Sequence, residues 1–303
     1  MNIFDAHCDT LYEVTFKGQT FRKNALNVDA ERLFNLGGYT QIFAAWLENS
    51  ENADFKFRKM ADKLDEETEK NSDIIKKCTS YEDMCSARKE GKTAAFFSLE
   101  GAYQIEKAED IEYIFSRGVR FINMTWNGAN RLAGGVSSGS GLTELGRNAL
   151  SEMERLGIIA DVSHLNEKSF WDLTEAAKQP IIASHSNSKA LCPHVRNLTD
   201  EQFKKIAELG GCVGINFYSD FLAEGKAADI SDLVRHVNHF LDIGGEDHIG
   251  LGSDFDGVSR LPDGINGAED MEMLANVFEK SFGGRRAEKI MHENFERIIK
   301  NLQ

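Results

Sequence analysis

The stretch FDAHCDT, residues 4–10, follows the short opening Met1-Asn2-Ile3 and reads as the end of a first β-strand. Side chains alternate along an extended strand, so His7 and Asp9 share one face and Cys8 takes the other. An imidazole and a carboxylate so placed can hold one divalent cation in a small bite. The pair is common in unrelated chains, so its meaning depends on how later strands end. Seven further strand-like runs follow, at 41–46, 94–99, 120–126, 158–162, 181–185, 212–218 and 248–254. Periodic or charged segments, such as 54–73 and 231–243, lie between them. Continuous apolar strands alternating with helices imply a parallel sheet covered on both faces. Eight of them in about 250 residues suggest an α/β fold, the closed (β/α)8 TIM barrel. A doubly wound open sheet is the runner-up, but no GxGxxG follows the first strand.

Other signals fit the same plan. Thr199-Asp200-Glu201-Gln202 has the capping-box pattern of a helix start. Ala287, Ile290, Met291, Ile298 and Leu302 trace the apolar stripe of a closing C-terminal helix. With three prolines and no low-complexity linker, residues 1–303 are expected to form a single domain. The segment 127–141, NGANRLAGGVSSGSG, holds five glycines and three serines after the fourth strand. It is expected to be a flexible loop on the substrate side of the barrel.

Composition narrows the function class. A chain of 303 residues that is 41% hydrophobic can bury a large core. The balance of 35 basic against 49 acidic residues gives a net charge of −14, which argues against nucleic acid or an anionic membrane as partner. Five cysteines (Cys8, Cys78, Cys85, Cys192, Cys212) form no CxxC pair, which fits a reducing compartment. No apolar stretch has transmembrane length, and the N-terminus lacks the pattern of a signal peptide. The expectation is a soluble cytoplasmic protein.

In a (β/α)8 barrel the reactive groups come from the C-terminal ends of different strands. The third strand ends in Glu100, the fifth in Asp161-Val162-Ser163-His164, the sixth in His185 and the eighth in Asp254-Phe255-Asp256. With His7 and Asp9, three of the eight histidines and several acids fall on one rim. A half-dry rim cannot hold so many carboxylates without cations. Imidazole and carboxylate without thiolate suit catalytic zinc, with manganese or cobalt as substitutes. The remaining histidines carry less. His236 and His239 are expected in exposed or capping positions on a predicted helix, His248 at the wrong end of the barrel, and His292 in the last helix. His194, close to Arg196, could face a substrate.

The chain resembles the membrane (renal) dipeptidase family of the amidohydrolase superfamily, in a soluble bacterial-type form. The resemblance is carried by FDAHCDT (4–10), SLEGA (98–102), GIIADVSH (157–164), PIIASHS (180–186), VRNLTD (195–200), GINFY (214–218) and GLGSDFDG (250–257). It implies a barrel that hydrolyses dipeptides at two Zn2+ ions, tolerates a D-residue at the C-terminal position, and forms a homodimer. Carried over by position, it implies that His7 and Asp9 bind one zinc, His164 and His185 the other, and Glu100 both. Asp254 would transfer protons, Arg196 would grip the substrate carboxylate, and Tyr218 would line the pocket. Mammalian members have a histidine where this chain has Trp126. Indole cannot carry a charge as imidazole does, so Trp126 is expected to shape the pocket, with Asn127 or Asn130 adding a hydrogen bond.

The chemistry expected of these parts is hydrolysis by a hydroxide held between two metals. Asp254 would serve as general base and then as acid to the leaving amine. Two alternatives share the residues: an amidohydrolase acting on N-acyl amino acids or lactones, and an inactive barrel that only binds a ligand. The complete ligand set speaks against the second.

Overall fold

The computed structural model describes residues 1–300 and 302. The strands, numbered along the chain, are β1 (Ile3–Cys8), β2 (Tyr39–Trp46), β3 (Ile75–Lys77), β4 (Thr93–Glu100), β5 (Val119–Asn123), β6 (Ile159–Asp161), β7 (Ile182–Ala183), β8 (Cys212–Ile215) and β9 (Ile249–Leu251). All pair in parallel, in the order β2-β1-β9-β8-β7-β6-β5-β4, and β2 pairs with β4 to close the barrel. The fold is therefore the expected (β/α)8 barrel. The eight barrel strands match the eight apolar runs. The short β3 is an addition, pairing with β4 beneath the point where β5 begins.

The barrel interior is apolar at its base and polar at its mouth. Phe4, Ala6, Ile42, Phe96, Phe121, Ile159, Ile182 and Cys212 form an inner cluster, which Phe295, Ile298, Ile299 and Leu302 of the C-terminal segment close from below. Phe295 stacks on Phe4 with ring centroids 5.4 Å apart. Gly250 makes this plug fit, because a Cβ there would collide with the Phe295 ring. The closing stripe expected from the sequence is thus found, interrupted by a π-helical turn at Lys289–Glu293.

In β4 alternation is regular: Ala94 and Phe96 face inward, Ala95, Phe97 and Leu99 face the helices, and so Ser98 and Glu100 return to the interior. β1 departs from this. Phe4 and Ala6 belong to the inner cluster, yet Cys8 packs in the outer one. The cause is a β-bulge: between Asp5 and Cys8 the strand advances three residues while β2 advances two, from Gln41 to Phe43. The extra residue re-aims the strand so that His7 and Asp9 also face the barrel mouth.

Helix boundaries follow their capping residues. Thr199 and Gln202 exchange the capping-box hydrogen bonds at the start of Asp200–Glu208. The segment 127–141 is not the loose loop its composition suggests. Its backbone is tied by Gly135 to Gly128, Ser137 to Asn127 and Val136 to His164, and the side chain of Asn130 is used up on Met124, Leu132 and Ala133. Small residues here permit close packing rather than motion.

His236 also differs from its sequence expectation. It is fully buried on the inner face of helix Ile230–Asp242. Its Nδ1 accepts the Ser188 N–H at 3.1 Å and its Nε2–H donates to the Leu222 carbonyl at 3.0 Å. The apolar stripe of that helix turns this position inward, and two loop backbones supply the partners that a buried ring needs. His239, one turn on, pairs with Asp200 at 2.7 Å.

Burial pushes His236 down to about 4, with the neighbouring Arg235 acting in the same direction and the Leu222 carbonyl and Asp232 against it. A folded-state pKa below that of the unfolded chain means stability is intact above about pH 6.5 and falls as pH drops towards 4. Urea denaturation between pH 7 and 4 is expected to show this loss, up to about 3 kcal/mol. In His236→Gln the same comparison should lose that component while keeping the acid sensitivity of the carboxylates.

Candidate metal centre and substrate cavity

The C-terminal ends of β1, β4, β6, β7 and β9 bring six side chains together. His7 Nε2 lies 3.5 Å from Asp9 Oδ2, 3.4 Å from Glu100 Oε2 and 3.9 Å from Asp254 Oδ1. On the other side of Glu100, its Oε1 lies 2.8 Å from His164 Nε2 and 3.6 Å from His185 Nε2. Glu100 thus turns one oxygen to each pair of residues. Three groupings have ligand atoms within 4.8 Å of one another: His7, Asp9 and Glu100; Glu100, His164 and His185; and His7, His185 and Asp254.

Orientation comes from neighbouring polar groups. His164 Nδ1 faces Asn127 Oδ1 at 2.9 Å, which places the ring proton on Nδ1 and leaves Nε2 bare. His185 Nδ1 faces Ser184 Oγ at 2.7 Å. The two Nε2 atoms then point at each other across 2.9 Å. Asn216 Nδ2 donates to Asp254 Oδ2 at 2.8 Å, leaving Oδ1 on the side of His7. His164 and Asp254 both adopt left-handed backbone, with φ of 70° and 62°. Such conformations cost about 1–3 kcal/mol each and persist where the surroundings hold them. Gly257 has no Cβ because one would collide with the carboxylates of Asp9 and Asp254.

The electrostatics are those of a buried, unbalanced cluster. Burial works against a charge on His7, but Glu100 and Asp9 overcome it and hold the ring well above its usual range. Burial and the nearby charge of Arg196 push His164 down to about 4, and burial together with the His7 charge pushes His185 well below its usual range. Burial raises Asp254 to about 7. Two neutral imidazoles thus offer lone pairs beside carboxylates. The excess negative charge that favours a proton on His7 favours a divalent cation in the same space. His7 Nε2 and Asp9 Oδ1 are buried without hydrogen-bond partners, as ligand atoms aimed at a cation would be. The donor set therefore fits one or two divalent ions held by nitrogen and oxygen.

The cluster forms the floor of a cavity of about 560 Å³, lined among others by Trp126, Asn127, Arg196, Tyr218 and Asp254. Arg196 is buried, yet it makes no ion pair among the described residues; its Nη2 donates to the His185 carbonyl at 3.3 Å, and its guanidinium lies 5.7 Å from the Phe221 ring. A surface salt bridge is thereby excluded. His194 lines the same cavity and stacks on Phe221 at 4.3 Å. Tyr218 packs edge-on against Phe221 at 4.8 Å. His7, Asp9, Glu100, Trp126, Asn127, His164, His185, Arg196, Tyr218 and Asp254 are thus brought to this one mouth, with the oxygen of Asn127 engaged with His164. Asn130, in contrast, does not line the cavity and spends its side chain on the backbone of its own loop. Ser184 and Asn216 escaped sequence reading, since a lone amide or hydroxyl near a strand end carries no distinguishing pattern. Tyr12 and Trp46, also in the wall, resemble ordinary core aromatics in the sequence.

The chain is similar to known proteins in sequence and in fold. The uncharacterized protein in the pqqA 5' region of Klebsiella pneumoniae is 37% identical over 242 residues, covering 75% of this chain and 89% of that protein. For three other curated relatives the matched part spans 55%, 58% and 56% of their length, little more than half. Among solved structures, a metallopeptidase described as dipeptidase AC of family M19 superposes with a TM-score of 0.93 at 28% identity, covering 100% of this chain and 98% of that one. The metallopeptidase of Rhodobacter sphaeroides, solved with a phosphinate mimic of L-Ala-D-Ala, gives 0.92 at 28% identity, covering 100% and 99%. No helix among the described residues is long and apolar enough to cross a membrane. The family model for membrane dipeptidases, peptidase family M19, matches residues 1–303, and the chain belongs to that family of metallohydrolases.

Proposed function

We propose that this protein is a zinc-dependent dipeptidase with two Zn2+ per chain. The observation that carries the reading is the buried, unpaired guanidinium of Arg196 on the wall of the cavity whose floor is the histidine–carboxylate cluster. A guanidinium offers a planar fork that fits a carboxylate in two hydrogen bonds. Set close to the reacting centre, it selects substrates whose free carboxylate follows the scissile bond by one residue. Likeness to the Rhodobacter enzyme, bound to a mimic of L-Ala-D-Ala, supports acceptance of a D-residue in that position.

His7 and Asp9 would hold one cation, His164 and His185 the other, and Glu100 one with each oxygen. Divalent metal held there would supply a bound water of lowered pKa and would polarise the scissile carbonyl. The protein's own groups complete the reaction. Arg196 anchors the terminal carboxylate and so fixes the peptide over the cluster. Asp254 accepts the proton of the attacking water on Oδ1, because Asn216 occupies Oδ2, and returns it to the amine nitrogen as the C–N bond breaks. Asn127 and Ser184 orient the two imidazoles, and the Asn127 oxygen keeps the His164 proton on Nδ1. Trp126, with its ring 6.2 Å from that of His164, closes the side of the cavity.

Metal analysis separates the roles. Glu100→Gln should weaken both zinc ions and abolish turnover, whereas His7→Ala should mainly lower the occupancy of one. A Glu100→Gln protein that keeps two tightly held zinc ions would refute the shared carboxylate. Asp254→Asn should retain its metal while kcat falls at least ~10²-fold, the usual cost of losing a general acid–base. Loss of metal together with activity would instead make Asp254 a ligand. For Arg196→Met, kcat/KM on free dipeptides should fall by roughly 2–5 kcal/mol in transition-state binding. Dipeptide amides should be poor substrates of the unaltered enzyme. Equal hydrolysis of amides and acids would overturn the carboxylate anchor, and faster hydrolysis of N-acetyl amino acids would point to an acylase.

A further inference from the structure

The cavity has a second end that the reaction above does not use. Around the closed barrel the strands run β1, β2, β4, β5, β6, β7, β8, β9. β2, which ends in Trp46, therefore lies diametrically across the mouth from β7, whose following loop carries Arg196. On the Trp46 side the cavity is walled by Tyr12, Trp46 and Trp126. Tyr12 and Trp46 meet edge to face, with centroids 5.0 Å apart at 72°, and Trp46 and Trp126 meet the same way at 5.4 Å and 74°. Trp126 carries the row on to His164, at 6.2 Å. Each ring is held by the next, so the wall is rigid and starts at the metal-binding cluster. The charged pair beside Tyr12, Glu13 and Lys17, is joined at 2.7 Å and so presents little net charge.

With the terminal carboxylate on Arg196 and the scissile bond over the cluster, the N-terminal residue of the substrate projects towards this wall. We infer that Tyr12, Trp46 and Trp126 form the pocket for the N-terminal side chain, and that the enzyme selects dipeptides whose first residue is aromatic or large and apolar. The inference rests on the dipeptidase reading. An aromatic wall rewards a flat apolar side chain through buried area and edge-to-face contact, and a single apolar pocket of this kind discriminates by tens of fold rather than thousands.

The test is a kinetic series of X-Ala dipeptides with the zinc-loaded protein, X being Gly, Ala, Leu, Phe, Trp or Arg. The expected result is a kcat/KM about tenfold to a hundredfold higher for Phe or Trp than for Ala. Trp46→Ala and Trp46→Leu should bring that ratio close to unity, and Trp46→Phe should restore most of it. Zinc content and thermal unfolding of each variant show that the fold and the cluster persist. A flat wild-type series, a preference for Arg, or a Phe-to-Ala ratio that survives Trp46→Leu overturns the aromatic pocket while leaving the dipeptidase reading standing. Absence of hydrolysis across the whole series removes the reading itself and the pocket with it.

Discussion

Glu100 stands between two sets of ligand atoms at the mouth of a dry barrel, and the rest of the molecule is arranged around that one carboxylate. With Asp9 and Asp254 it concentrates negative charge where water is scarce. Such charge is tolerable only beside cations, and His7, His164 and His185 set their nitrogen atoms within reach of the same carboxylates. A parallel barrel suits this requirement because it delivers every strand end to one rim. The inner cluster below, closed by Phe295, supplies the rigid floor against which those ends are set.

Rigidity at the rim is secured by groups that do no chemistry. Asn127, Ser184 and Asn216 each engage one side chain of the cluster, His164, His185 and Asp254 in turn, and leave its other polar atom facing the cluster. The loops that carry them are pinned in turn. His236 joins the backbone at Ser188 to that at Leu222, and the glycine-rich segment 127–141 is laced to itself and to His164. Left-handed backbone at His164 and Asp254 shows that this scaffold is stiff enough to hold strained residues in place.

The cavity is also chemically divided. One side offers a buried guanidinium and the opposite side a row of aromatic rings, with the ligand cluster between them. On the dipeptidase reading proposed above, a substrate that satisfies all three is short, ends in a carboxylate and carries its scissile bond midway.

The sequence by itself determined the barrel, the rim and the histidines and carboxylates gathered on it. Apolar runs separated by amphipathic segments report burial on both faces, and polar residues at the ends of those runs report the mouth. Thr199 and Gln202 marked a helix start because capping is a local interaction. Tertiary structure decided what depends on exact register or on distant partners. Strict alternation could not place Phe4, Ala6, His7 and Asp9 all inside the barrel; the bulge between Asp5 and Cys8 does so, and a one-residue insertion in pairing leaves no trace in hydropathy. Composition made the 127–141 segment look loose and helical spacing made His236 look exposed, because the backbone partners that pin them leave no mark in hydropathy. Tyr12, Trp46 and Asn216 were hidden because each gains its role only when barrel closure brings together strand ends that are far apart in sequence.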